Sequence, residues 1–409
     1  MERGLSSKST FFSHHPTCRL AVVKIASRCN LNCTYCYMYN LGDQTALQQP
    51  KVMSIAVIEA SVARCMTHAA TRGLESFRFV FHGGEPLMAG RETFHTLIAS
   101  ASRWQDQLGV IPEFSVQTNA TLLNDAWCTA LADWGVSVGV SLDGPKSVND
   151  RHRITHKNEG SYDKTITGWN RAKVHGLRPG VLTVIDPSTS ADEAYHHLRA
   201  LGPESVDFLL PDANYMRPPS YKTDGTPYAD WLLRVFELWN CEPIRPFRVR
   251  TFEQIMSTTL GIAYATDALG EGENEIVVIE TDGEIGPVDT LRAAVPGVSR
   301  TGFNVLRNSV DEALDHPILS KYHGANQSLC ETCTTCPISR ICGGGYLSHR
   351  YSPERIFDNP SVYCRDLTKL IAEIRQSVIM TLPKNVLKEA NLRPWSSADI
   401  EAARAVVKK

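Results

Sequence analysis

The chain has 409 residues, 43% hydrophobic and 21% charged, enough to bury a large core and to form more than one domain. Lysine plus arginine (42) nearly balances aspartate plus glutamate (44), so neither a nucleic-acid-binding surplus nor an electrostatic tail is present. No run of about 18 apolar residues could span a bilayer, and the N-terminus lacks the apolar core of a signal peptide. A cytoplasmic protein is expected, with no nucleic acid and no membrane among its partners.

After an N-terminal arm (1–17), LAVVKIAS (20–27) predicts a strand that runs into CNLNCTYCY (29–37), three cysteines within nine residues. Next come a helix over 54–70, the strand SFRFVFHGG (76–84), a helix through FHTLIASASRWQDQL and the strand EFSVQTNAT (113–121). The helix LNDAWCTALADWG stops at Gly135. VSVGVSLDG (136–144), a helix from Tyr162, VLTVIDPS (181–188), a helix through Ala194, SVDFLLPDA (205–213) and the helix TPYADWLLRVFELW (226–239) complete six strand-then-helix units. Their order predicts an α/β fold with a parallel sheet over 18–245, laid open or curled into a partial (β/α)6 TIM barrel. Polar and glycine-rich residues follow the strands as SRCN, HGGEP, TNAT, SLDGP, DPS and PDANY. In a barrel that face carries the chemistry.

Beyond 245 the rhythm changes. NEIVVIETDGEIGPVD predicts two short strands about the turn pair Asp282-Gly283. A segment with five cysteines follows, rich in glycine and poor in apolar periodicity, as expected where metal replaces a core. Residues 366–380 read as a helix. The second unit spans 246–380, and a tail with a basic end covers 381–409.

Twelve cysteines in a reducing compartment point to metal or redox chemistry rather than disulfides. Cys65 and Cys128 fall in helical patterns and are expected as buried inert thiols; Cys18 and Cys241 are isolated. Cys29, Cys33 and Cys36 form one group. On a four-iron cluster, normally held by four cysteines, three thiolates leave one iron open to a substrate or cofactor. The alternative is a structural zinc with a remote fourth ligand.

The C-x3-C-x2-C spacing after a first strand, with Tyr35 before the last cysteine, resembles the radical S-adenosylmethionine (radical SAM) enzymes. The resemblance implies a [4Fe-4S] cluster whose open iron chelates S-adenosyl-L-methionine, and one-electron cleavage to a 5′-deoxyadenosyl radical that abstracts hydrogen. HGGEP (82–86) matches the family's GGE motif: Gly83 and Gly84 would permit close backbone approach, and Glu85 would hold the methionine ammonium. Ser141 matches the ribose-contacting position. Asn119 and Arg153, beyond the third and fourth strands, are further expected contacts, with Asp150 and Arg151 near the same space.

Cys333, Cys336, Cys342 and Cys364 resemble part of the SPASM domain, the C-terminal iron–sulfur domain of radical SAM enzymes that modify peptides. A full SPASM domain carries two auxiliary clusters. Here Val288 and Tyr346 replace cysteines of the first, while the four matching cysteines are the ligands of the second. One auxiliary [4Fe-4S] cluster is therefore expected, with zinc on the same thiols as the alternative. Gly343, Gly344 and Gly345 would let backbone N–H groups approach its sulfurs. Cys330 is left over.

Segments such as FHGGEPLMAG, VGVSLDGP and FDNPSVYC look most similar to FxsB-type maturases, related to anaerobic sulfatase-maturating enzymes. That similarity implies a ribosomal precursor peptide as substrate and a cyclophane crosslink, joining an aromatic ring carbon to the Cβ of a residue two positions downstream. A flavodoxin or ferredoxin would supply electrons. Asp289, at the place of the sulfatase maturases' catalytic aspartate, is the expected base; His82 is the second catalytic candidate, and His196-His197 a weaker one. Formylglycine or thioether formation is the alternative reaction, and a zinc-holding binding protein the distant third. Residues 214–228 or the C-terminal tail are the expected peptide-leader contacts.

Overall fold

The structure is a computed structural model that describes residues 16–221, 225–262, 266–389, 392–393, 396 and 398–399. Most of the N-terminal arm, part of the 214–228 segment and the basic end of the tail lie outside the described residues. Nine strands make one sheet: β1 (Leu20–Ala26), β2 (Ser76–Gly83), β3 (Ile111–Thr118), β4 (Ser137–Ser141), β5 (Gly180–Val184), β6 (Ser205–Leu209), β7 (Arg248–Val249), β8 (Ile276–Ile279) and β9 (Ile285–Gly286). Their order is β7-β6-β5-β4-β3-β2-β1-β8-β9, parallel throughout except for the β8–β9 pair. The fold is α/β with a parallel sheet.

Three strands from beyond residue 245 join that sheet. β7 extends the β6 edge, and β8 pairs parallel with β1, Leu20 against Ile276 through Val23 against Ile279. The segment expected as a separate hairpin therefore adds strands to the main sheet, and its turn runs over residues 280–284, with Gly283 at φ 89° donating from its N–H to Glu280 O at 2.8 Å.

Period-two alternation sorts the strands' side chains. Phe77, Phe79 and Phe81 of β2 are fully buried, and Phe81 stacks on Phe94 of the helix Arg91–Leu108 with centroids 4.1 Å apart. Val138 and Val140 of β4 and Val206 and Phe208 of β6 are buried likewise. The intervening residues His82, Gln117, Ser141, Leu182 and Leu209, one from each of β2 to β6, line a single cavity on the other face.

Helix starts follow local chemistry. Ser54 accepts from Val57 N at 3.3 Å, Asn124 from Trp127 N at 2.9 Å and Ser190 from Glu193 N at 3.2 Å. Helix Pro227–Asn240 is capped from a distance: Asp366 accepts from Tyr228 N and Ala229 N, both at 2.9 Å. Asp366 belongs to helix Cys364–Thr381, which packs on Pro227–Asn240 and so docks the second cysteine segment beside β6 and β7. Among the described residues no helix is long and apolar enough to cross a membrane.

Gly83 tests how tightly the site depends on backbone. A Cβ there would lie 1.9 Å from Ala26 O, whereas one at Gly109 (φ 73°) meets nothing. Gly109→Ala should cost about 1 kcal/mol, the left-handed backbone alone. Gly83→Ala should cost about 3 kcal/mol or more in denaturant unfolding; equal losses at the two positions would refute the tight packing.

Candidate active site

The three cysteines of the β1 loop line the cavity together with residues from the ends of β2 to β6. Two flanks hold the loop. On one, Gly84 N donates to Ala26 O and Glu85 N to Arg28 O, each at 2.9 Å, prolonging the β1–β2 pairing past the strands. A Cβ on Gly84 would fall 2.2 Å from the Tyr39 hydroxyl and 2.5 Å from Arg28 O. The close approach that these glycines permit is thus first to the protein's own loop. On the other flank, Asn32 N donates to Ile154 O at 2.7 Å and Thr34 N to His152 O at 3.0 Å, bringing the Arg153 segment against the cysteines.

Glu85 is fully buried and does not line the cavity. Its carboxylate accepts from Thr118 Oγ1 at 2.7 Å, Asn119 N at 2.8 Å and Leu87 N at 3.1 Å, so it fastens the β2 end to the β3 end rather than facing a ligand directly. Burial pushes its carboxyl up against these donors. Asn119, which does line the cavity, directs Nδ2 at Asn30 Oδ1 (3.0 Å) and toward Cys29 Sγ (3.9 Å). Ser141 Oγ accepts from Gln117 Nε2 at 2.8 Å. Half-buried Tyr35 joins buried Asp143 and Arg153 in one set: the Tyr35 hydroxyl donates to Asp143 and accepts from Arg153 Nη1 at 2.9 Å. Arg153 Nε has no partner although buried, leaving a donor for an anionic group. Asp150 and Arg151 are turned elsewhere, to Tyr162 N and to Asp186 and Ser188. His196 and His197 lie outside the cavity lining.

Burial raises Cys29 to about 12 and Cys36 to about 11, and raises Cys33 despite nearby Arg153. Such thiols stay protonated at neutral pH unless a bound cation displaces the proton. Three of them around one cavity, with a leftover guanidinium N–H beside them, fit a cluster that keeps one iron for a carboxylate-bearing ligand. Among the described residues no three Cys, His, Asp or Glu side chains are gathered to hold a single metal ion.

The second group also comes together. Cys342 and Cys333 are buried, Cys336 and Cys364 are close enough to influence their ionisation, and Cys330 hydrogen-bonds with the Cys333 thiol. Gly343, Gly344 and Gly345 all adopt positive φ (60°, 81°, 69°); Gly345 N donates to Cys342 O at 3.1 Å, and the Gly344 and Gly345 backbone lowers the Cys342 thiol against its burial. Their carbonyls converge on Arg350, which donates to Gly343 O at 2.6 Å, Gly344 O at 3.0 Å, Gly345 O at 2.8 Å and Ala325 O at 2.8 Å. This buried cation has no carboxylate partner among the described residues, and the groups whose charge would act on it are the thiols of Cys333, Cys342 and Cys330. It fits an anionic iron–sulfur centre. Cys65 and Cys128 are buried free thiols away from both groups, as expected.

The two residues expected as catalytic are placed differently. Asp289 is buried but does not line the cavity; its carboxylate pairs with Lys24 Nζ and lies 3.7 Å from Arg292 Nε. Lys24 and Arg292 hold it below the usual carboxylate range against its burial, which makes it a weak base. His82 lines the cavity with Nδ1 unpartnered, yet burial and the neighbouring Lys24 lower it to about 3. Lys24 sits beside His82 in register on β1, inside a strand that read as apolar. Sequence reasoning also passed over Asp143 and Asp212, although both stand in polar segments that it noted, over Gln117 within β3, and over Arg350, which had no sequence signal.

A family model described as the Radical SAM superfamily matches residues 23–201. A serine-type anaerobic sulfatase-maturating enzyme of Klebsiella aerogenes is 28% identical over 334 residues, 80% of this chain and 78% of that protein. The structure of anSMEcpe with bound AdoMet superposes with a TM-score of 0.74 at 23% identity, covering 91% of this chain and 99% of the other. Streptococcus suis SuiB bound to precursor peptide SuiA does so with a TM-score of 0.56 at 17% identity, over 81% and 72%. The two structures share the fold.

The buried ion pair offers a direct test. Lys24→Met leaves Asp289 buried without its main partner and should cost about 3–5 kcal/mol of unfolding free energy. Lys24→Met with Asp289→Leu should recover most of that loss, because Arg292 keeps Glu280 and Asp43. Additive losses in the double variant would show that the two do not interact.

Proposed function

Because the chain belongs to the radical SAM superfamily and is an enzyme acting on peptides or proteins, we propose that its cavity installs a cyclophane crosslink in a ribosomally made precursor peptide. In this reading Cys29, Cys33 and Cys36 hold the [4Fe-4S] cluster that binds S-adenosyl-L-methionine, and Cys333, Cys336, Cys342 and Cys364 hold one auxiliary cluster. When bound, these groups supply hydrogen-atom abstraction from carbon and a one-electron acceptor. The sheet serves as a partial barrel, the cysteine-rich segment as a reduced SPASM domain, and a cytoplasmic flavodoxin or ferredoxin as electron donor.

The chain's own residues do the positioning. Arg153 offers its free Nε to the cofactor carboxylate, Asn119 orients the Cys29 thiolate, and Ser141, fixed by Gln117, faces the ribose. Gly83 and Gly84 bring backbone to the same strip, and Glu85 keeps the strip assembled from behind. Tyr35 and Asp143 hold Arg153 in place.

The observation that carries the choice of reaction is the inner wall of the cavity. Tyr37, Leu182, Leu209, Leu210 and Tyr346 line it next to the cysteine triplet, an apolar and aromatic surface suited to a substrate side-chain ring. Tyr346 stands where a further cluster would need a cysteine, so a ring-facing wall and a lost ligand coincide. The similarity to the Klebsiella aerogenes enzyme over most of both chains favours a second reading, oxidation of a serine or cysteine to formylglycine.

Two measurements test this. Anaerobic reconstitution should give about eight irons per chain, falling to about four when Cys29, Cys33 and Cys36 become alanine, with S-adenosylmethionine cleavage abolished; about twelve in the wild type would reveal a third cluster. The product peptide should be two hydrogens lighter per crosslink and silent to an aldehyde-specific hydrazide. Hydrazide labelling would instead establish the formylglycine reading.

A further inference from the structure

Part of the cavity is not used by the cofactor-facing strip, and there the chain places a carboxylate of unusual freedom. Asp212 lies just beyond β6 and lines the cavity shared with the cysteine triplet. Among the described residues no group donates a hydrogen bond to it, and Arg217 is the cation that acts on it. Arg217 is itself committed to Leu41 O at 2.8 Å and Ala293 O at 3.3 Å. The other acids around the site are engaged: Glu85 by three donors, Asp143 by Tyr35 and by Val184 N at 3.1 Å, Asp289 by Lys24. Tyr37, Tyr346 and Tyr363 feel the charge of Asp212, and His349 lines the same cavity. Burial holds these tyrosines above their usual range and His349 at about 3, so all four are neutral near pH 7. Apart from Arg217, the groups around this carboxylate are neutral, and it lines the cavity without a hydrogen-bond donor among the described residues.

We propose that Asp212 is the acid–base residue of the reaction, taking the proton that the peptide releases as it is oxidised. The inference rests on the peptide-maturase reading. Per crosslink two C–H bonds break and one C–C bond forms. One hydrogen leaves as an atom to the 5′-carbon derived from S-adenosylmethionine. The other leaves as a proton to a carboxylate oxygen of Asp212, and its electron passes to an iron–sulfur acceptor. Burial raises the Asp212 carboxyl to about 7, where a group can both accept and release a proton at neutral pH. Asp289 and His82, held well below that, cannot.

The experiment uses reconstituted holoenzyme, S-adenosylmethionine and a synthetic peptide with an aromatic residue and β-hydrogens two positions downstream. The readout is the ratio of dehydrogenated peptide to 5′-deoxyadenosine against pH. In the wild type the ratio should rise through about pH 7 as Asp212 ionises. Asp212→Asn should still form 5′-deoxyadenosine, lose about 100-fold in the ratio and lose the pH dependence; Asp212→Glu, which keeps the carboxylate, should restore part of both. Independently of turnover, infrared difference spectra of the holoenzyme should show a protonated-carboxyl band that titrates near pH 7 and is missing in Asp212→Asn. An Asp212→Asn ratio equal to wild type, or an infrared titration unchanged by that substitution, overturns the assignment alone. If the wild type itself transfers no hydrogen from the peptide to 5′-deoxyadenosine, the maturase reading falls and the assignment with it.

Discussion

The site depends on one close backbone approach. β1 and β2 continue to pair after both strands have ended, Gly84 N to Ala26 O and Glu85 N to Arg28 O, and only glycine at 83 and 84 leaves room for it. That contact fixes the start of the cysteine loop. From there Glu85 reaches across to Thr118 and Asn119, and Asn119 turns back to Cys29. The first cysteine, the β2 end and the β3 end are thereby one hydrogen-bonded unit. A cofactor laid along this strip meets backbone and side chains positioned before it arrives, which is what makes such binding inexpensive in ordering entropy.

Buried charge explains the distribution of proton-accepting power. Lys24 and Arg292 neutralise Asp289, Glu280 and Asp43 beneath the cavity, and Arg153 neutralises Asp143 at its side. Pairing holds Asp289 and Asp43 below the usual carboxylate range, whereas burial outweighs it at Glu280 and Asp143 and raises both; in all four the carboxylate is committed to a structural partner. Asp212 has no such partner. The fold thus separates its structural carboxylates from Asp212 on the cavity wall, and neither the position of Asp289 nor the imidazole of His82 alters that.

Much of the fold was legible because strand and helix patterns repeat with different periods, and the turn residues after each strand are polar. The six strands, the helix stop at Gly135, the cysteine groups and the β8–β9 turn all followed from local sequence. The pairing of β8 with β1 did not, since the partners are about 250 residues apart and nothing local encodes a parallel register. The charges were harder still. Lys24 sits in an apolar strand and its meaning depends on Asp289, far along the chain; Asp212 stands out only when its missing partners can be counted. Resemblance pointed to Asp289 by position, whereas three-dimensional electrostatics decides which carboxylate is free.

Arg350 carries the same logic into the second cysteine group. Its guanidinium is buried among four carbonyls, all acceptors and none charged, so hydrogen bonding is met while the charge is not. With the surrounding thiols protonated, that charge is a cost to folding. With thiolates on a cluster, it becomes an attraction of several opposite charges in a low-dielectric setting. The three left-handed glycines make this arrangement, because the turn that sends their carbonyls to Arg350 also lays their backbone against Cys342, Gly345 N donating to Cys342 O. Segment 325–364 does bury apolar side chains, Leu347, Tyr351 and Phe357 in one cluster and Ile338, Ile341 and Tyr363 in another, so a bound metal would add to an existing core. The segment sets Tyr346 and His349 on the cavity wall, so in the proposed reading an auxiliary centre on its cysteines would shape the substrate's space as well as accept its electron.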